Sequence, residues 1–147
     1  MHHDPCGTRR FFAVDLSPPI YYLFGMMIRD RWFWAAVGYA ICIAIGSSIP
    51  GPEMPKAVEL VWDKLLHGTE YSVLGFLLAR AFLPETRLSQ MLLIFLIGSA
   101  YGALDEFMQY FTPGRFSSGW DALADSCGVL IGISVYVLLR GRRRSAA

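Results

Sequence analysis

From Trp32 to Pro52 the chain carries no Asp, Glu, Lys or Arg, a run of 21 residues. A bilayer core about 30 Å thick takes about 20 helical residues, so Trp32 to Ile49 is predicted to be a transmembrane helix. Arg29, Asp30 and Arg31 mark its start. Pro50, Pro52 and Pro55 stop it, because proline lacks the amide hydrogen that a helix needs. A second apolar stretch, Leu65 to Leu83, holds His67, Glu70 and Arg80 and ends before Pro84. The third runs from Leu88 to about Phe111; it is uncharged as far as Leu104, meets Asp105 and Glu106, and is closed by Pro113-Gly114. The fourth starts near Ser118 and ends at Leu139, where Arg140 to Arg144 follow. Ser118 with Asp121 three residues on resembles a capping box at a helix start. Ile20 to Ile28 is apolar but too short to span, and either an interfacial helix or a loosely ordered tail fits it. No small-residue cleavage site follows the apolar run at Trp32, so a cleaved signal peptide is not expected.

This pattern predicts an all-α, polytopic membrane protein with four transmembrane helices in a compact bundle. Residues 1–31 form an N-terminal segment, 32–139 the membrane domain and 140–147 a basic tail. Composition points the same way. The chain is 54% hydrophobic and 17% charged with a mean hydropathy of +0.41, whereas a soluble domain is about 45–50% apolar and about 25% charged. A soluble globule and a disordered chain are both disfavoured. No basic, aromatic-interleaved face suits a nucleic acid, so the lipid bilayer is the expected partner. Cys6, Cys42 and Cys127 are odd in number and far apart, with no CxxC pair, so neither a disulfide framework nor a zinc site of that kind is indicated.

Charge placement adds an orientation. With four spans, ten of the 13 basic residues share the side of the two termini: Arg9, Arg10, Arg29, Arg31, Arg80, Arg87, Arg140 and Arg142 to Arg144. Lys56, Lys64 and Arg115 lie on the other side. Basic residues favour the cytoplasmic side, so both termini are predicted to be cytoplasmic. Eight acids fall at the opposite, outer side: Glu53, Glu59, Asp63, Glu70, Asp105, Glu106, Asp121 and Asp125. Ionisable groups within spans cost about 2.5–3.5 kcal/mol on insertion scales and normally face a partner or a functional site.

Helical spacing gathers these acids. Asp63, His67, Glu70 and Tyr71 share one face, as do Asp105 and Gln109, and Asp121 and Asp125. Beneath them lie two small-residue pairs, Gly98 with Gly102 and Gly128 with Gly132, which permit close helix packing. Arg115, in the loop between the third and fourth segments, is the expected cation for the cluster. Glu106, adjacent to Asp105, is expected to turn toward the loop. Trp32 and Trp34 are expected at the membrane interface.

The residues resemble a known family. Asp63-Lys64-Leu65-Leu66-His67, Glu70-Tyr71 and Leu74-Gly75 look like the first motif of the VanZ-like family. Tyr101 to Gln109, then Phe111-Thr112-Pro113-Gly114-Arg115, resemble its second. Ser118, Asp121, Asp125, Gly128 and Gly132 resemble its third. The resemblance covers about Ile49 to Gly132. It implies a small integral membrane protein of the bacterial envelope, in the cytoplasmic membrane. The family's namesake is associated with resistance to the glycopeptide antibiotic teicoplanin. Relatives often carry a histidine just before the glutamine of the second motif, where this chain has Met108.

Three functions compete. A binding module would hold a lipid-linked or peptidoglycan-type head group at the outer leaflet, through His67, Glu70, Tyr71, Asp105, Glu106, Gln109, Arg115, Asp121 and Asp125. Trp120 would join Tyr71 against a sugar. An enzyme would use His67 with Glu70 or Asp105 as general base; no nucleophile elbow, phosphate-cradling loop or Cys–His pair supports it, and the balance leans away from catalysis. A structural protein would use the same residues as buried pairs, Arg115 or Lys64 with Asp105 and Asp121, to set helix register. One histidine among mixed acids is a weak metal signature beside HExxH, so no metal and no cofactor is expected.

Overall fold

The computed structural model describes residues 30–49, 56–83, 87–115 and 117–145, with the backbone alone for 56–61 and 144–145. Expectations for the N-terminal segment, Cys6 and Glu53 lie outside the described residues. Four α-helices and no strand occur among the described residues: α1 Arg31–Ser47, α2 Lys56–Phe82, α3 Leu88–Gln109 and α4 Gly119–Ser145. The Asp30 side chain caps α1 by accepting from the Trp32 amide at 2.8 Å. Gly114 closes the turn after α3 with φ at 76°, a left-handed conformation that costs glycine little.

Helix limits differ from the apolar runs. α2 begins at Lys56 rather than Leu65, α3 ends at Gln109 rather than Phe111, and α4 continues past Leu139 to Ser145. The physical reason is that apolar runs record burial and lipid contact. Backbone hydrogen bonding continues through Lys, Glu and Arg, which are good helix formers.

Cross-helix contacts define the topology. Phe33 of α1 meets Phe82 of α2, with ring centroids 6.0 Å apart, so these helices run antiparallel. α2 and α4 run parallel, because His67 meets Asp125 at one end and Leu83 meets Tyr136 at the other. They also pack more closely than any other pair. A Cβ on Gly128 would strike the Gly68 carbonyl oxygen, and one on Gly132 the Ser72 carbonyl oxygen. α1 and α3 flank this seam and are joined by Tyr101, whose hydroxyl donates to the Ala40 carbonyl at 2.6 Å. Tyr71, Leu74, Ala79, Ile94, Val129 and Ile133 fill the core.

The outer faces are apolar. Leu92, Leu93, Leu96 and Ile97 of α3 and Leu130, Ile131 and Leu138 of α4 are exposed. Cys42 and Cys127 are free and exposed on these faces. Leu88–Gln109 and Gly119–Arg143 are long and apolar enough to cross a membrane. α2 carries Glu70 and Arg80, and α1 has 17 residues, about 25 Å of helix at 1.5 Å per residue.

The two ends of the bundle differ in charge. At one end the guanidinium groups of Arg31 and Arg80 both lie over the Trp32 ring, 5.5 and 5.1 Å from its centroid. Arg140 there donates to the Leu83 carbonyl and to the Tyr136 hydroxyl. The acids gather at the opposite end.

Candidate functional site

His67 stands at the centre of that acidic end. It is 3% exposed, and its Nδ1 lies 2.9 Å from Asp125 Oδ1 and 3.8 Å from Glu106 Oε1. Its Nε2 faces Asp63 Oδ1 at 3.9 Å. The α2–α4 seam creates this geometry. Gly128 lies one turn from Asp125 and lets the two backbones meet, which brings His67 within hydrogen-bond range. Gly102 of α3 serves the same end, because a Cβ there would sit 2.8 Å from Asp125 Cβ.

A second group of bonds ties the other helices in. Asp105 Oδ2 accepts from Ser47 Oγ at 2.8 Å and from Gln109 Nε2 at 3.0 Å, which links α1 to α3. Lys64 Nζ donates to Asp121 Oδ1 at 2.8 Å, which links α2 to α4. Asp121 is 2% exposed, so this pair is half sheltered.

Three sequence expectations need correction. Arg115 does not neutralise Asp105 or Asp121. It donates to the Gly46 and Ile49 carbonyls at 3.1 and 3.2 Å, and among the described acids it approaches Asp63 alone, at 4.0 Å. The physical reason is that the C-terminal carbonyls of α1 carry partial negative charge and have spare acceptor capacity beyond the closing turn, where Gly46 O already accepts from the Ile49 amide. Glu106 is buried in the cluster as well as touching the loop: Oε2 accepts from the Ser118 amide at 2.9 Å while Oε1 faces His67. The expected capping box is therefore completed across helices. Ser118 Oγ accepts from the Trp120 amide at 3.2 Å, but Glu106 of α3 takes the place foreseen for Asp121.

Ser47 was missed, and its only signal was a polar pair, Ser47-Ser48, at the end of an apolar run. The α2 side of the seam was missed too. Gly68 and Ser72 are four apart and mirror Gly128 and Gly132, a small-xxx-small pattern present in the sequence. Of the other packing glycines, Gly98 lies against Val129. Met108 is exposed on the outside of α3. A histidine at that position in relatives would thus face away from His67.

The cluster grades from open to closed. The side chains of Lys64, Asp63 and Arg115 are 30%, 26% and 23% exposed and form a rim of mixed charge. Exposed Trp62 and Trp120 belong to the same end. Below the rim His67, Asp105, Glu106, Gln109, Asp121 and Asp125 are buried. Glu70 lies about a turn deeper along α2 than His67 and is half-buried, and Tyr71 beside it is fully buried. Five buried oxygens find no hydrogen-bond partner among the described residues, and three of them belong to this cluster: Tyr71 Oη, Glu106 Oε1 and Asp125 Oδ2, the others being on Gln90 and Ser99. Buried polar atoms are normally paired, and an orphan marks a place where something is missing or moves.

A family model described as VanZ/LLP1 matches residues 19–140, a span that takes in the whole cluster. No curated protein and no solved structure matches the chain.

Proposed function

The chain belongs to the VanZ/LLP1 family, and on that premise we propose that it is a four-span protein of the bacterial cytoplasmic membrane that binds a polar or lipid-linked head group at the outer leaflet. The family and the two long apolar helices together support a membrane protein. The packing of α1 and α2 against the two long helices supports counting them as spans too. The arginine-rich end then faces the cytoplasm, with both termini, and the acidic end faces outward.

The observation that carries the binding reading is the mixed-charge rim over a buried polar floor built from all four helices. A purely structural cluster would be closed. Here Asp63 and Glu70 are half-open carboxylates that accept no hydrogen bond among the described residues. Such groups suit amines or sugar hydroxyls, while Lys64 and Arg115 suit a phosphate. A lipid-linked or peptidoglycan-type precursor carries both chemistries. The His67–Asp125 pair favours a second reading, an enzyme acting on such a precursor, because a carboxylate-oriented imidazole is a general-base arrangement.

Binding is tested by native mass spectrometry of protein extracted from its own membrane. The wild type should carry a lipid-linked saccharide adduct. Asp63→Asn and Glu70→Gln should keep the unfolding midpoint and each lower occupancy about tenfold, the effect of one charge-assisted hydrogen bond. An adduct-free wild type, or full occupancy in both variants, would sink the proposal. The same reading links the chain to the glycopeptide response, and its overexpression should then change teicoplanin susceptibility.

A further inference from the structure

His67 Nδ1, one carboxylate oxygen of Glu106 and one of Asp125 lie within 4.8 Å of one another. They come from α2, α3 and α4, so no single-helix spacing announces them. Each side chain is more than nine-tenths buried, at 4%, 7% and 0% exposed. The unpartnered atoms point to a ligand here. Glu106 Oε1 faces the imidazole with no hydrogen bond of its own, and Asp125 Oδ2 likewise has none. Charge balance points the same way. Two buried carboxylates share one imidazole, while Lys64 and Arg115 are engaged elsewhere, and uncompensated buried charge is costly.

We propose that His67, Glu106 and Asp125 form a binding site for a divalent transition-metal ion, Zn2+ foremost. One imidazole nitrogen and two carboxylate oxygens suit zinc, which binds such donors at about 2.0–2.2 Å. Tetrahedral bonds of that length set donor atoms about 3.3 Å apart. The two contacts of His67 Nδ1, 2.9 Å to Asp125 and 3.8 Å to Glu106, straddle that spacing, and all three donor atoms lie within 4.8 Å of one another. Calcium needs six to eight oxygens and magnesium favours octahedral oxygen sites, whereas this floor offers two carboxylates and an imidazole nitrogen. On binding, the ion replaces the His67–Asp125 hydrogen bond. The imidazole keeps its single proton on Nε2, and any proton displaced from the site passes to solvent. Nε2–H then faces Asp63 Oδ1, 3.9 Å away, and a small rotation would complete the carboxylate–histidine–metal arrangement that orients a ligating ring. The fourth position of a tetrahedral site is left for a water molecule or a ligand. This site goes beyond the head-group reading and stands without it.

The test uses the full chain in detergent micelles, stripped with a chelator and re-equilibrated with Zn2+, Mn2+ or Co2+. His2 and His3 are first replaced by alanine, because with Asp4 and Cys6 they offer ligands of their own. One Zn2+ per chain should survive gel filtration by elemental analysis, and the Co2+ form should show the visible absorption of a four-coordinate site. Glu106→Gln and Asp125→Asn should each weaken Zn2+ binding by more than about tenfold, and Asp30→Asn, at the opposite end, should leave it intact. Substoichiometric metal in the wild type, or undiminished binding in both cluster variants, would overturn the site. Should those variants fail to fold, the wild-type stoichiometry and Co2+ spectrum decide the matter alone.

Discussion

His67→Leu is expected to lower the unfolding free energy by about 3–5 kcal/mol, the usual cost of stranding a buried charge. Asp125 is 0% exposed, and His67 is its one hydrogen-bond partner among the described residues. Leucine is close to histidine in size, so the loss would come from the carboxylate and not from a hole. A companion change isolates the cause. Asp125→Ala in the His67→Leu background removes the stranded group, and the double variant should recover most of the loss, because apolar replacements of buried ion pairs are often neutral. Reversible unfolding in mixed micelles, with chelator present so that bound metal does not contribute, gives the comparison. A His67→Leu midpoint equal to wild type would show that the pair does not hold the cluster together. A double variant no better than the single would assign the loss to packing. The recovered double variant is also the useful one for function, since it should be folded but without adduct or metal.

Much of this arrangement was legible in the chain. The four helices follow from where charge is absent, and the acidic end from where it returns. Helical spacing placed His67 with Asp63, and Asp121 with Asp125, on common faces, and the glycine pairs marked the tight seam. What failed was partner choice. Arg115 was assigned to the acids because opposite charges attract, but the carbonyls at the end of α1 compete for the same guanidinium. Lys64, the other cation that the sequence offered for these acids, takes Asp121. Glu106 was turned toward the loop because its neighbour Asp105 faces inward; its Oε2 does reach the Ser118 amide there, but the side chain is also buried against His67. Adjacent helix positions lie about 100° apart, and both can be buried when different helices pack on either side, as α1 does against Asp105 and α4 against Glu106. Both errors have one source: periodicity reports the faces of a helix but not which helix covers each face. The parallel α2–α4 contact that organises the cluster is a tertiary fact of that kind.

That contact sets the second large expectation. Gly132→Ala should cost about 1–3 kcal/mol, the range for forcing extra carbon into a close-packed interior, and Gly132→Leu should leave no folded protein. The collision is with the Ser72 carbonyl oxygen, with the Phe76 amide nitrogen next at 2.6 Å. Neither can rotate away as a side-chain end could, so α4 must withdraw from α2 along its length. Gly128→Ala should behave alike, since its Cβ would strike the Gly68 carbonyl oxygen. It carries a further consequence, because Gly128 is about one turn from Asp125. Separating the helices there lengthens the 2.9 Å contact between His67 and Asp125, so occupancy by head group or metal should fall along with stability. Gly38→Ala and Gly46→Ala provide the controls, because a Cβ at either meets nothing within 4 Å. An unchanged midpoint in Gly132→Ala would mean that the seam is looser than described. The 2.9 Å pairing, which depends on that seam, would then lose its structural basis.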